Sequence, residues 1–182
     1  MGGALLVRFL AQASKSEQPA GLILASPVVL VPGNPSWMRQ AIFHFFLAFT
    51  PTRRVDVSKY TKRQDPNDPK YWVTRDVAHR EWFQTASHRI TSFTFRFFKC
   101  LFDLIGGCME AAPRIAVPVL TIYAQHDVYI TPERTESFIA RLGSSDKQSR
   151  LFPESYHLLL HDFDKAQALE WIERWLGERV PG

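Results

Sequence analysis

Two short loops in this 182-residue sequence place a carboxylate and an imidazole just after apolar runs. The run VPVLTIYA leads into Gln125, His126 and Asp127, and SRLFP leads into Glu154, Ser155, Tyr156 and His157. Loops that follow neighbouring parallel strands open on one edge of a sheet, so Asp127 and His157 can meet there. An aspartate accepting an imidazole Nδ1–H fixes the tautomer and stabilises the imidazolium formed when Nε2 takes a proton. The residues alone leave two readings open: an acid–base pair, or a structural aspartate and a structural histidine. The other five histidines are weaker candidates. His44, His79 and His88 fall in a helical stretch, His126 should point away from the aspartate along an extended backbone, and His161 reads as a supporting or surface residue.

The elements that would hold these loops alternate in texture. Apolar residues at Leu5, Leu6, Phe9, Leu10 and Ala13 predict an opening helix with one face buried, and Gly2 and Gly3 before it suggest a close backbone approach. GLILASPVVL is a continuous apolar run of the kind found in strands covered on both faces. IAVPVLTIYAQHD predicts another such strand, PERTESFIARLG a helix ended by glycine, and SRLFPESYH a short strand running into a loop. DKAQALEWIERWLGERV predicts a last helix with Ala168, Trp171, Ile172 and Trp175 on one face.

Residues 31–112 differ. VPGNPSW and YTKRQDPNDPKYW are proline-broken loops, and VAHREWFQTASHRITSFTFRFFKCLFDLI carries helical spacing up to Gly106 and Gly107. Ten of the fourteen phenylalanines lie in this block, which requires either a core of its own or an apolar ligand. The expected organisation is therefore a partial α/β core from residues 1–30 and 113–182, with a helical insertion at 31–112.

Composition narrows the classes. With 46% hydrophobic residues the chain can bury a sizeable core, and no apolar run reaches the length of a membrane-spanning helix. Arg8 interrupts the first apolar stretch, unlike the h-region of a secretory signal, so a cytoplasmic protein is expected. Cys100 and Cys108 have no metal-ligand spacing and read as packing residues. The formal charge of +4 is mild. The local basic cluster Arg53, Arg54, Lys59, Lys62 and Arg63 is read first as a solvated loop, with transient contact to an anionic membrane surface as its functional counterpart. No nucleic-acid partner and no metal or other cofactor is expected, and the oligomeric state is not legible.

The segments EAAPRIAVPVLTIYAQHDVYITPE and LGSSDKQSRLFPESYHLLLHD, with MGG at the start, resemble the C-terminal part of an α/β-hydrolase. The branch is that of the monoacylglycerol lipases and lysophospholipases, also called serine aminopeptidase-like hydrolases. The resemblance covers nearly the whole chain, although the middle block aligns only by position and helical character. It implies that Asp127 is the triad acid and His157, thirty residues on, the triad histidine. Ala124 departs from a glycine common before the acid. In this family the nucleophile stands in an elbow of the form G-H-S-M-G-G, so Met1, Gly2 and Gly3 match the three residues after a serine that has no counterpart here.

The resemblance further implies that residues 31–112 roof the site, with Phe43, Phe45, Phe46, Phe49, Trp82, Phe93 and Phe97 as candidates to line an acyl pocket. Each methylene buried there contributes about 0.8 kcal/mol. The bland alternative is that these aromatics pack the insertion against the sheet. The expected activity is carboxylic ester hydrolysis on a small acyl ester or lipid, with this stretch alone inactive because it holds only the acid and the base. A displaced start codon or a damaged gene is the expected origin of that gap. A non-catalytic binding protein is the alternative, as is another branch of the fold, such as a dehalogenase, an epoxide hydrolase or a peptidase.

Overall fold

The structure is a computed structural model and describes residues 1–30, 36–58, 65, 67–87 and 89–179. Three strands form its main sheet: β1 (Leu22–Ala25), β4 (Val119–Ala124) and β5 (Lys147–Phe152), in the order β1-β4-β5 and all parallel. Their register pairs Leu22 with Val119 and Val119 with Lys147, so all three carboxyl ends reach the same edge. Every residue of the central strand β4 is buried, as expected of a mainly apolar run interrupted only by Thr121 and the Tyr123 hydroxyl.

Side chains alternate across this sheet and feed two cores. On one face Leu22, Leu24 and Val119 pack with α1 (Gly2–Leu10), α5 (Cys108–Ala111) and α6 (Pro132–Arg141) through Val7, Leu10, Ala111 and Phe138. On the other face Leu120, Ile122, Ala124 and Phe152 pack with α7 (Lys165–Gly177) through Ala168 and Trp175. Trp171 and Ile172 lie partly buried against this second core, so the expected face of the last helix is the one used. The result is a helix–sheet–helix sandwich.

Of the residues its spacing predicts on the buried face, the first helix fully buries only Leu10. Ala4, Val7 and Leu10 are buried, whereas Leu5, Leu6 and Phe9 are 52%, 46% and 55% exposed. The helix is apolar on two sides, and the smaller residues face the sheet because close approach there selects them. Gly3 supplies that approach: a Cβ on it would lie 3.1 Å from the Pro27 Cβ, while one on Gly2 would meet nothing.

GLILASPVVL also forms less strand than its apolar run predicts. Pairing stops at Ala25 because Ser26 adopts φ 44°, the left-handed region, although its N–H still donates to the Ile122 carbonyl at 2.8 Å. The turn brings Pro27 against Gly3 and so sets the start of α1 at the carboxyl edge of the sheet.

Between β1 and β4 the chain leaves the sheet. It forms α2 (Trp37–Phe49), an antiparallel ribbon of β2 (Arg54–Asp56) and β3 (Ser92–Thr94), α3 (Val77–Thr85) and α4 (Phe95–Gly106). The stretch of mostly helical spacing from Val77 to Gly106 therefore holds two helices with a strand between them. Ala86 caps the first, and the ribbon strand β3 intervenes before Thr94 caps the second through its side chain, which accepts from the Phe97 N–H. β-Branched and aromatic residues at 90–95 favour extended backbone, which overrides the helical spacing. The end of α4 and α5 joins the sheet's first core through Ile105 and Cys108. Of the two cysteines only Cys108 is a packing residue, and burial pushes its thiol up to about 11; Cys100 is exposed. Among the described residues no helix is long and apolar enough to cross a membrane.

Candidate active site

Asp127 and His157 stand together at the carboxyl edge. His157 Nδ1 and Asp127 Oδ2 are 2.7 Å apart, with the aspartate side chain 2% exposed and the imidazole 20% exposed. Their loops are joined by backbone as well: the Gln125 N–H donates to the Phe152 carbonyl at 3.0 Å and the His126 N–H to the Ser155 carbonyl at 3.1 Å.

Asp127 is fixed by its own turn. The N–H groups of Tyr129 and Ile130 both donate to its Oδ1, at 2.8 and 3.2 Å, leaving Oδ2 for the imidazole. This is an Asx-type turn, in which a short side chain replaces a backbone acceptor. The Tyr129 ring meets the His157 ring edge-on at 4.6 Å between centroids and restricts its rotation. With Nδ1–H donating to the carboxylate, Nε2 carries the lone pair and can act as a base.

The remaining candidates disperse. His126 lies against the Tyr156 ring at 5.3 Å and His161 stacks on His79 at 4.4 Å, so neither joins the pair. Phe43, Phe46, Phe93 and Phe97 are half-buried in an aromatic cluster around Phe95, Phe98 and Phe102, with the Phe46 and Phe95 rings stacked at 5.1 Å. Phe45, Phe49 and Trp82 are 58%, 72% and 55% exposed. Arg53 lies 5.5 Å from the Phe46 ring centroid. Lys59, Lys62, Arg63 and His88 lie outside the described residues.

Several residues of the site were not anticipated from the sequence. Tyr129 and Ile130 were detectable in principle, because an aspartate two and three residues ahead of them is an Asx-turn signal. Asp162, whose carboxylate accepts from the Tyr156 N–H at 3.1 Å, carries no such local signal.

Parallel strands covered by helices on both faces, with an aspartate and a histidine in the loops after adjacent strands, define an α/β-hydrolase fold. The chain belongs to the family described as serine aminopeptidase, S33, whose model matches residues 1–164. It is similar to the monoacylglycerol lipase of Paleococcus ferrophilus, with a TM-score of 0.77 and 20% identity over 98% of this chain and 65% of that one. It is also similar to a soluble variant of monoglyceride lipase from Saccharomyces cerevisiae in complex with a substrate analog, with a TM-score of 0.76 and 20% identity over 99% of this chain and 60% of that one. An uncharacterized abhydrolase domain-containing protein of Dictyostelium discoideum is 22% identical over 180 residues, which are 98% of this chain. The chain spans 18% of that relative's length and less than two thirds of either lipase.

Proposed function

We propose that Asp127 and His157 are the acid and base of a serine ester hydrolase acting on acyl glycerol or lysophospholipid esters. The observation that carries this reading is the 2.7 Å contact between His157 Nδ1 and an Asp127 carboxylate already held by two backbone N–H groups. The names of the two lipases of similar fold favour an acyl glycerol as substrate.

In this reading α1 is the helix that follows the nucleophile elbow. The serine belongs to the turn ahead of Met1, outside the 182 residues, and Met1, Gly2 and Gly3 complete the elbow. His157 Nε2 takes the serine proton as the serine oxygen bonds to the ester carbonyl carbon, and the backbone N–H at the position of Met1 donates to the resulting oxyanion. The imidazolium then passes its proton to the departing alcohol. Water, deprotonated by the same nitrogen, releases the acid and restores the serine. Residues 31–112 form the roof of the acyl pocket, with Phe43 and Phe46 against Phe95 and Phe93 against Phe97 as its half-buried candidates.

Hydrolysis of p-nitrophenyl esters and monoacylglycerols tests the assignment on two polypeptides, the 182-residue chain and one continued upstream of Met1 through the elbow serine. The expected result is turnover by the longer polypeptide only. Turnover by the 182 residues alone at a comparable rate would place the nucleophile elsewhere and overturn the proposal.

A further inference from the structure

The residues that follow His157 are hydrogen-bonded to a segment far away in sequence. The first of them, Leu158, donates its N–H to the Val73 carbonyl at 2.7 Å, and Thr74 Oγ1 donates to the His161 carbonyl at 2.7 Å. The residue before His157, Tyr156, donates its N–H to Asp162 Oδ2 at 3.1 Å. Residues 73–75 lie in the insertion between β1 and β4, just ahead of α3, so the insertion is bonded directly to the residues after the imidazole and, through Asp162, to the residue before it.

Arg75 closes this arrangement. Its Nε donates to Asp162 Oδ1 at 2.8 Å and one terminal nitrogen to Asp164 Oδ2 at 2.6 Å, while Ser155 Oγ donates to that same Asp164 oxygen at 2.6 Å. Asp162 is 2% exposed and takes two further donors, the Phe163 N–H at 2.7 Å and the Arg75 N–H at 3.4 Å. Arg80 donates to the Thr74 carbonyl at 2.9 Å and lies 3.9 Å from the Trp72 ring centroid, which holds the strap segment from behind. A planar guanidinium bridging two carboxylates fixes direction as well as distance, which a lysine does not. Buried ion pairs contribute little net stability against an apolar replacement of the same shape. Geometry is what such a fork supplies, and an imidazole must be held within about 0.5 Å to act on a neighbouring group.

We infer that Arg75, through Asp162 and Asp164, is a positioning residue that holds the His157 imidazole on Asp127 and couples its placement to the insertion. The importance of this role rests on the function proposed above, but its test does not. In the 182-residue chain labelled with ¹⁵N-histidine, the hydrogen-bonded Nδ1–H of His157 gives a low-field proton resonance, assigned by its disappearance in His157→Gln. Arg75→Ala is expected to abolish that resonance, and Arg75→Lys to weaken it.

Arg179→Ala serves as the control. It removes an equally good fork, to Asp146 at 2.9 Å on both arms, near the amino end of β4 where the Asp146 carbonyl accepts the Val119 N–H. It should lower the unfolding midpoint and leave the resonance intact. An unchanged resonance in folded Arg75→Ala overturns the inference, as does its loss in Arg179→Ala, which would make general destabilisation sufficient. If Arg75→Ala does not fold, Arg75→Lys decides: an unchanged resonance there overturns it equally. Should His157→Gln leave hydrolysis by the longer polypeptide untouched, the catalytic reading fails while the positioning result stands on its own.

Discussion

His157→Gln, in the polypeptide that carries the elbow serine, is expected to lower kcat for ester hydrolysis by about 10⁴-fold or more with KM little changed. Glutamine retains a donor for Asp127 but offers no basic nitrogen where Nε2 stood, so the serine keeps its proton. Asp127→Asn should cost about 10⁴-fold by a different route. Its Oδ1 can still accept from the Tyr129 and Ile130 N–H groups, which preserves the turn. Its amide nitrogen, however, turns a donor toward Nδ1. The imidazole then carries its proton on Nε2, the wrong tautomer for a base. Stopped-time product assays with unfolding midpoints measured beside them check both variants. Activity within tenfold of the parent in either one would remove that residue from the mechanism.

The second large effect is on stability. Asp162→Ala should destabilise the fold by about 3–5 kcal/mol, because it removes the buried one of the two carboxylates that Arg75, itself only 23% exposed, bridges, leaving it Asp164 alone. The N–H groups of Tyr156 and Phe163 lose their acceptor in the same step. For a chain of this size that corresponds to a fall of about 10 °C or more in Tm. The double variant Arg75→Met, Asp162→Leu should recover only part of the loss, since it removes the half-paired charge but leaves the Tyr156 and Phe163 N–H groups without their acceptor. Thermal unfolding of the single and double variants reads this directly, and a Tm for Asp162→Ala within about 2 °C of the parent would mean the pair is already well solvated.

How much of this was legible in the sequence follows from how local each signal is. The mainly apolar run Val119–Ala124, too short for a helix and rich in β-branched residues, read as a buried strand, and with the strand after it, it placed Asp127 and His157 at one edge. The last helix carried one apolar stripe and used it. The first helix carried two apolar sides, so spacing alone, which did mark Leu10, could not choose between Leu5, Leu6, Phe9 and Ala4, Val7 as its companions. The left-handed turn at Ser26, a residue of ordinary type in an apolar run, shortened β1 without any warning from composition. The ribbon strand β3 was hidden inside a helical pattern because its pairing partner, β2, lies far upstream in sequence, with Arg54 opposite Thr94 and Asp56 opposite Ser92.

The ion-pair fork between Arg75 and Asp162 was illegible for the same reason. It spans 87 residues, and neither partner stands in a local motif that names the other. Short-range chemistry therefore exposed the Asp127–His157 pair, whereas the groups around it emerged only from the fold. The same division accounts for the aromatic block. Its phenylalanines announced an apolar cluster, but the exposure of Phe45 and Phe49 beside the half-buried Phe43 and Phe46 depends on which face of α2 meets α4.

The most direct test of the central claim is covalent labelling by a fluorophosphonate, with the modified residue located by mass spectrometry. In the polypeptide continued upstream of Met1, a single adduct is predicted on the serine immediately before that methionine, and His157→Gln should suppress it. The 182-residue chain should take up none. An adduct on any serine within residues 1–182, or undiminished labelling in His157→Gln, would contradict the assignment of Asp127 and His157 as the acid and base of that serine.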